Sequence, residues 1–349
     1  MMRRNCKKIK IKDRYIGGDS PILIQSMTNT DTRDVLATVN QITELENAGC
    51  EIIRVAVPDL QAAEAIKGIK SNINIPLIAD IHFDYKLALK SMENGVDGLR
   101  INPGNIGSEL RIKEVANCAS YYNIPIRVGV NSGSLEKDLL KKYGSPTPEA
   151  LVESALRNVR LLEKYNFFNI VISVKSSNVI KNIESYRILA KETEYPLHLG
   201  VTEAGTAFSG TVKSAIGIGS LLCDGIGDTI RVSLTGSPID EIKVAKEILK
   251  DCGIRKEGIE IISCPTCGRT NIDLISIVRE AEKRFSSINK PIKVAIMGCA
   301  VNGPGEAREA DLGIAGGSGE GVIFKKGEII RKVPEEKLLD ALMEEIAKL

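Results

Sequence analysis

Residues 51–101 read EIIRVAVPDLQAAEAIKGIKSNINIPLIADIHFDYKLALKSMENGVDGLRI and alternate short apolar runs with amphipathic segments. The apolar runs are Glu51–Val57, Pro76–Ile81 and Gly98–Ile101. Their length and β-branched content are typical of buried strands. Between them, Leu60–Ser71 and Tyr85–Glu93 repeat apolar residues at helical spacing. This passage predicts strand–helix–strand–helix–strand, the repeating unit of a parallel α/β fold.

The alternation of predicted strands and helices continues on both sides of that passage. Further strands are predicted at Ile22–Ser26, Ile126–Val130, Asn169–Val174, Leu197–Val201 and Asp228–Val232. Further helices are predicted at Val35–Ala48 and Pro148–Tyr165, with an inserted polar loop and short helix at Ser132–Pro148. Eight strands alternating with helices within about 250 residues predict a (β/α)8 TIM barrel over residues 1–252. An open doubly wound sheet is the alternative, but no Gly-x-Gly-x-x-Gly motif follows an early strand.

Residues 258–349 follow a short linker and predict a small α+β domain. The expected elements are a strand at Ile259–Ile262, a helix at Asp273–Phe285, a strand at Ile292–Met297, two short strands and a closing helix at Glu335–Leu349. Lys325-Lys326-Gly327-Glu328 is typical of a hairpin turn. The chain is therefore expected to contain two domains.

Composition excludes several classes of protein. The net charge is +2 and only 4% of residues are aromatic, so a nucleic-acid-binding surface is not indicated. No stretch reaches about 18 consecutive apolar residues, so no membrane span is predicted. The first 13 residues are basic and lack the apolar segment of a signal peptide. Eight cysteines in such a chain predict reduced thiols in a cytoplasmic protein.

The second domain carries three thiols and one carboxylate in two short motifs. Cys264-Pro-Thr-Cys267 forms one, and Cys299-Ala-Val-Asn-Gly-Pro-Gly-Glu306 forms the other. A structural zinc site normally completes four ligands with cysteine and histidine, and this segment contains no histidine. Iron–sulfur clusters are held by cysteine thiolates. The motifs favour a cluster with three thiolate ligands, while a structural zinc remains an alternative.

Cations stand near the carboxyl ends of five predicted barrel strands, where barrel enzymes place their active sites. They are Arg54, Arg100, Arg127, Lys175 and Arg231. Polar residues at period-two spacing share these strand ends: Asp80, His82, Asn102, Asn131, Ser173 and Ser233. The acids there are chiefly Asp80 and Glu203, so the cations exceed the acids and predict a ligand carrying more than one phosphate charge. His198, mid-strand among apolar residues, is expected to be packed rather than catalytic.

Three motifs together carry a resemblance to a known family. They are Gly298-Cys-Ala-Val-Asn-Gly-Pro-Gly-Glu306-Ala, Cys264-Pro-Thr-Cys267-Gly-Arg and Gln25-Ser-Met-Thr-Asn-Thr-Asp31. With them the chain resembles, over essentially its whole length, the short bacterial form of 4-hydroxy-3-methylbut-2-en-1-yl diphosphate synthase. That is the iron–sulfur oxidoreductase of the non-mevalonate isoprenoid pathway.

The resemblance implies a reaction and a set of functional residues. The reaction is reductive ring opening and dehydroxylation of 2-C-methyl-D-erythritol 2,4-cyclodiphosphate to 4-hydroxy-3-methylbut-2-enyl diphosphate, with two electrons from reduced flavodoxin or ferredoxin. The implied ligands of a [4Fe–4S] cluster are Cys264, Cys267, Cys299 and Glu306. The five cations would hold the diphosphate. The implied further residues of the pocket are Asp80, His82, Asn102, Asn131, Glu203 and Ser233, with Glu203 as our candidate proton donor.

A head-to-tail homodimer is also expected. The eighth helix runs back to the amino end of the barrel over roughly 18 Å, and an eight-residue linker reaches at most about 28 Å. A second domain that caps the barrel of a partner subunit avoids stretching this linker, and the resemblance implies the same arrangement. Two alternatives remain at this point: a binding protein with a structural zinc, and a non-redox phosphate-binding barrel enzyme with a structural metal domain.

Overall fold

The computed structural model describes residues 3–286, 288–299 and 307–349. Its internal packing divides the chain into two compact units, residues 1–252 and 253–349. Within the described residues, none of the helices has the length and apolar composition needed to cross a membrane.

The first unit contains a two-stranded hairpin and a parallel barrel. The hairpin strands are β1 (Ile9–Ile11) and β2 (Arg14–Ile16). The barrel strands are β3 (Leu23–Met27), β4 (Ile52–Ala56), β5 (Leu77–Asp80), β6 (Gly98–Ile101), β7 (Ile126–Asn131), β8 (Ile170–Lys175), β9 (His198–Leu199) and β10 (Thr229–Ile230).

The barrel strands pair in parallel and nearly close a ring. Strands β3 to β8 pair in sequence, β10 lies beside β3, and β9 lies beside β10. A parallel bridge between Ile172 and Leu197 then joins β8 to the chain entering β9, and the Ile172 N–H donates to the Pro196 carbonyl at 2.9 Å. The predicted (β/α)8 barrel is confirmed, and the open-sheet alternative is excluded.

Helices connect successive barrel strands. They are α1 (Val35–Ala48), α2 (Leu60–Lys70), α3 (Tyr85–Glu93), α4 (Pro103–Ile106), α5 (Glu109–Tyr122), α6 (Lys137–Tyr143), α7 (Pro148–Glu163), α8 (Val179–Glu192), α9 (Ala207–Cys223) and α10 (Pro238–Asp251). Asp34, Asp59 and Asp84 cap three of them by accepting backbone N–H groups. The predicted insertion after β7 contains α6. Because the first helix after each barrel strand begins beyond the carboxyl end of that strand, these helix N-termini surround the carboxyl ends of the strands.

The hairpin covers the amino end of the barrel. Ile9, Ile11 and Ile16 form a buried cluster with Leu23, Ile52, Ile78 and Val171, which lie in the first two residues of their strands. Gly98 leaves room here, since an added Cβ would lie 3.4 Å from Ile11. The barrel interior is therefore filled with hydrocarbon at this end.

In its described residues, the second unit contains a five-stranded sheet and two α-helices. Its elements are β11 (Glu260–Ser263), α11 (Leu274–Phe285), β12 (Lys293–Met297), β13 (Leu312–Gly316), β14 (Glu320–Lys325), β15 (Glu328–Pro334) and α12 (Leu338–Ala347). The strands lie in the order β11-β12-β13-β14-β15, the first three parallel and the last two antiparallel. Leu274, Ala281 and Phe285 of α11, together with Leu338 and Leu342 of α12, belong to the buried core of this sheet.

The predicted hairpin turn is present, with Lys326 and Gly327 both at positive φ between β14 and β15. The prediction of two short strands was wrong, because β13 makes a third. Its sequence is Leu-Gly-Ile-Ala-Gly, and Phe324 covers Gly313 so closely that an added Cβ would lie 2.2 Å from the Phe324 ring. The glycine is there for packing, which composition alone does not show.

Candidate functional site

The carboxyl ends of the barrel strands surround a polar cavity of about 140 Å³. We call it the cation cavity. It is lined by Arg54, Asp80, His82, Arg100, Arg127, Asn131, Ser173, Lys175, Val201, Thr202, Arg231 and Ser233. All five cations singled out in the sequence therefore lie around one space.

Strand periodicity and register explain this convergence. Arg127 and Asn131 of β7 share one face because alternate side chains of a strand point the same way. Arg127 is paired in register with Arg100 of β6, and Arg100 with Asp80 of β5. The parallel pairing thus places charged side chains from neighbouring strands at the same level.

Asp80 is the acid at the centre of the cation cavity. Its carboxylate lies 3.2 Å from Arg100 Nη1, 3.6 Å from Arg54 Nε and 3.6 Å from His82 Nε2. Burial alone raises the pKa of Asp80, but the Arg54 and Arg100 guanidinium groups and the hydrogen bond with His82 outweigh burial and hold the pKa well below its usual value. Asp80 is therefore a carboxylate at neutral pH.

Glu241, in the first turn of α10, is a second buried acid. Its Oε2 lies 3.7 Å from Arg231 Nη2, and its Oε1 accepts the Leu234 N–H at 3.0 Å. Burial raises its pKa against the effect of Arg231. Sequence reasoning missed Glu241. The available signal was an acid in the first turn of a helix that follows the last barrel strand, but such acids commonly serve only the helix dipole.

Two of the cations have neutral hydrogen-bond partners. Arg127 Nη1 donates to Gln25 Oε1 at 2.9 Å, and Lys175 Nζ lies 3.2 Å from His198 Nε2. Among the described residues, Arg127 Nε and Gln25 Nε2 are buried without a hydrogen-bond partner. Gln25 was noted only as part of a motif.

The crowding of like charge shifts several pKa values. Burial, followed by the repulsion of Arg127 and the other guanidinium groups, lowers the pKa of Lys175 well below its usual value. Burial lowers the pKa of Arg54 to about 10 despite its contact with Asp80. Guanidinium groups remain charged at neutral pH. The cavity therefore holds excess positive charge that an anion would stabilise.

A glycine makes room for one of these cations. A Cβ added at Gly129 of β7 would lie 2.5 Å from Arg100 Nε. The Arg100 side chain therefore lies directly over the backbone of β7, where its Nη2 donates to the Gly129 carbonyl at 3.4 Å.

Two predicted pocket residues are not among those lining the cavity. Asn102 is buried at the start of α4, and its Oδ1 accepts the Gly104 N–H at 3.3 Å. Glu203 is exposed in the loop before α9, beside the lining residue Thr202. Its backbone is left-handed, with a φ of 51°. A non-glycine residue in that region is strained, and such strain concentrates at functional sites.

In the second unit, two cysteine motifs meet at one edge of the sheet. Strands β11 and β12 are parallel with Ser263 opposite Ile296, so the residues after both strands emerge at the same edge. The Gly298 N–H donates to Cys264 Sγ at 3.2 Å. Gly298 also packs closely against Thr270, since an added Cβ would lie 2.9 Å from that side chain.

The surroundings of these cysteines suit bound thiolates. The Arg269 backbone N–H lowers the pKa of the exposed Cys267 thiol, and the Arg269 side chain acts in the same direction. Cys299, directly after Gly298, is buried. N–H groups directed at sulfur fit thiolate ligands of an iron–sulfur cluster. Among the described residues no three ligating side chains converge on a point suited to one metal ion, and Glu306 lies outside those residues.

Comparison with known families separates the two units in the same way. A model of the GcpE TIM-barrel domain matches residues 6–246, and a model of the GcpE protein C-terminal domain matches residues 260–348. The chain belongs to the GcpE family. Relatives of this GcpE chain along its full length bear the name 4-hydroxy-3-methylbut-2-en-1-yl diphosphate synthase (flavodoxin).

The relative from Clostridium perfringens is 66% identical and covers 98% of each chain. That from Caldanaerobacter subterraneus is 64% identical over 100% of this chain and 98% of its own. That from Geobacter sulfurreducens is 58% identical over 100% of this chain and 99% of its own. The resemblance stated from the sequence motifs is confirmed.

Two solved structures resemble the GcpE chain over about 70% of its length. Yersinia pestis dihydropteroate synthase matches with a TM-score of 0.50 and 10% identity, over 70% of this chain and 97% of its own. Geobacillus kaustophilus 3-dehydroquinate dehydratase matches with a TM-score of 0.50 and 16% identity, over 72% and 99%. At these identities the likeness concerns the fold.

The lowered pKa of Lys175 predicts proton uptake when an anion binds. In the free protein, burial and the cations Arg54, Arg100, Arg127 and Arg231 disfavour the ammonium form. Bound pyrophosphate favours it, so the pKa rises and a proton is taken up at any pH between the free and bound values. At a pH between these two values we expect wild-type protein to take up more protons than Lys175→Met, by up to about one per site.

Isothermal titration with pyrophosphate in two buffers of different ionisation enthalpy measures this proton count. Comparing wild type with Lys175→Met cancels the protons released or bound by pyrophosphate itself. Equal proton counts would show that Lys175 is already fully charged in the free protein.

Proposed function

We propose that this chain catalyses reductive ring opening and dehydroxylation of 2-C-methyl-D-erythritol 2,4-cyclodiphosphate to 4-hydroxy-3-methylbut-2-enyl diphosphate. The observation that carries the proposal is the cation cavity, found in a chain 58–66% identical to synthases of that name. Five cations face two buried acids, Asp80 and Glu241, and a cyclic diphosphate supplies the negative charge that this arrangement needs.

The arginines and Lys175 hold the diphosphate. Guanidinium groups bind phosphate oxygens through paired N–H donors. Asp80 fixes Arg54 and Arg100 in place, and it orients the exposed His82 towards the ligand. Arg127 and Lys175, whose protein partners are neutral, keep most of their charge available for the anion. Asn131 and Ser233 add hydrogen-bonding groups to the lining, and Asn102 supports it through the turn into α4.

The reaction consumes two electrons and a proton, and it releases water. Glu203 is our candidate donor of that proton to the departing hydroxyl. Its position beside the lining residue Thr202 and its left-handed backbone support this role.

We propose that Cys264, Cys267, Cys299 and Glu306 hold a [4Fe–4S] cluster. When bound, this group would supply single low-potential electrons that side chains cannot provide. Cys264 and Cys267 lie at the edge of the sheet, where their sulfurs accept the backbone N–H groups of Gly298 and Arg269. The carboxylate ligand rests on the family resemblance. The electron donor is reduced flavodoxin, as in the names of the relatives, or ferredoxin; the cytoplasmic location remains a prediction from the sequence.

We also propose that two chains form a head-to-tail dimer in which each C-terminal domain caps the barrel of its partner. Large apolar side chains, between 53% and 83% exposed, lie where the barrel helices begin. They are Leu36, Leu60, Phe83, Leu110, Ile180 and Phe208. Such an apolar rim around a polar cavity is typical of a surface covered by another protein.

The non-redox alternative has less support. Dihydropteroate synthase, a barrel relative in fold, shares only 10% identity with the chain. The relatives that share most of its sequence are named as flavodoxin-dependent synthases.

The cluster assignment is tested by metal analysis and turnover together. Protein purified without oxygen should contain about four irons and four sulfides per chain, and it should convert the cyclodiphosphate only with reduced flavodoxin present. Cys264→Ala should lose iron and turnover, whereas Cys50→Ala, a buried barrel cysteine, should keep both. Zinc without sulfide would contradict the proposal.

The role of Glu203 predicts a separation of catalysis from binding. Glu203→Gln removes the transferable proton, so turnover should fall on the order of 10²-fold or more while substrate affinity stays near wild type. Glu192→Gln, at an exposed position on α8, is the matched control. Loss of affinity with unchanged turnover would reassign Glu203 to binding.

The dimer predicts complementation between inactive subunits. Arg127→Met disables the barrel and Cys264→Ala disables the cluster domain. Mixing the two under conditions of subunit exchange should restore activity, because a heterodimer pairs one intact barrel with the intact cluster domain of the other subunit. A mixture that forms heterodimers, shown by co-purification of differently tagged chains, and remains inactive would contradict the head-to-tail arrangement.

A further inference from the structure

Lys175 has a contact unlike those of Arg54, Arg100 and Arg231, each of which lies near a carboxylate. Its Nζ lies 3.2 Å from Nε2 of His198, on the neighbouring strand β9. Gly200 makes room for the Lys175 side chain, since a Cβ added at Gly200 would lie 2.6 Å from Lys175 Nζ. The side chain thus crosses the barrel interior over a glycine and ends against an imidazole.

His198 is held on its other side by two further groups. Its Nδ1 lies 2.8 Å from Thr229 Oγ1, and its backbone carbonyl accepts the Tyr186 hydroxyl at 2.5 Å. The ring is fully buried. Burial, then Arg127 and Lys175, lower its pKa well below the usual value, so the imidazole is neutral.

The hydrogen-bonding chemistry fixes the tautomer. When a bound anion keeps Lys175 charged, its ammonium group can only donate, so His198 Nε2 accepts from it. The proton of the neutral ring then lies on Nδ1 and is donated to Thr229 Oγ1. The imidazole directs Lys175 without bringing a negative charge.

We propose that His198 is a positioning residue that holds Lys175 for the substrate diphosphate while leaving its positive charge uncompensated. A carboxylate here would fix the lysine equally well but would compete with the phosphate for it. This inference rests on the proposed function, because it assumes that Lys175 binds the diphosphate. It gives His198 a role that its mid-strand, apolar surroundings did not predict.

A double-mutant cycle tests the proposal through equilibrium binding of 2-C-methyl-D-erythritol 2,4-cyclodiphosphate to the full chain, without an electron donor. His198→Leu removes the acceptor and should weaken binding about tenfold, an effect of 1.4 kcal/mol or so. The same substitution in a Lys175→Met background should change affinity little, because the group that His198 positions is gone. His198→Gln, which keeps an acceptor and a donor, should recover much of the lost affinity.

Tyr186→Phe is the structural control. It removes a buried hydrogen bond to the His198 backbone and leaves the ring in place, so it should lower stability without changing substrate affinity. Urea unfolding of every variant shows which ones are folded under the binding conditions, and His198→Gln keeps the test available if His198→Leu does not fold.

The outcomes separate this inference from the function on which it rests. If Lys175→Met binds substrate as wild type does, the assigned phosphate contact fails. If Lys175→Met weakens binding but His198→Leu does not, the inference about His198 fails alone. Equal losses from His198→Leu in both backgrounds would show a merely structural role and would also overturn it.

Discussion

Repulsion among the cations inside the barrel is the constraint on which much of this structure depends. Four arginines and a lysine enclose about 140 Å³ of polar space, and burial with mutual repulsion lowers the pKa of Arg54, Arg127 and Lys175. A protein folded for stability alone would not gather these charges. The surrounding structure accommodates them with one central carboxylate, neutral acceptors, and glycines that let long side chains lie against backbone. The free protein therefore contains repulsion among the cations that a bound anion reduces, and this reduction favours anion binding.

The partners of the cations are of two kinds, acidic and neutral. Asp80 and Glu241 anchor guanidinium groups and reduce the net repulsion. Gln25 and His198 orient Arg127 and Lys175 without reducing their charge. The position of each cation is thus set by protein contacts, while part of the charge remains for a ligand. This arrangement limits the reorganisation needed when substrate binds.

Sequence patterns predicted the barrel well because its signals are local. The runs around Arg54, Asp80 and Arg100 repeat apolar residues at strand spacing, and Asp34, Asp59 and Asp84 cap the helices that follow. The cations could be placed at strand ends for the same reason. Two of their partners could not, since Glu241 and His198 meet Arg231 and Lys175 only in the folded barrel, and β13 depends on Phe324 covering Gly313. The local sequence around each of these residues is equally compatible with a purely structural role.

The hairpin Ile9–Ile16 has a consequence for the order of events during turnover. Its isoleucines fill the amino end of the barrel with hydrocarbon, so the charged interior opens towards the carboxyl end, where the apolar rim lies. Substrate, product and the released water must share that passage, and in the proposed dimer the domain of the partner that caps it must withdraw before the next substrate can enter. Because the amino end is closed, uncapping of the carboxyl end in that dimer would be a step whose rate can limit turnover.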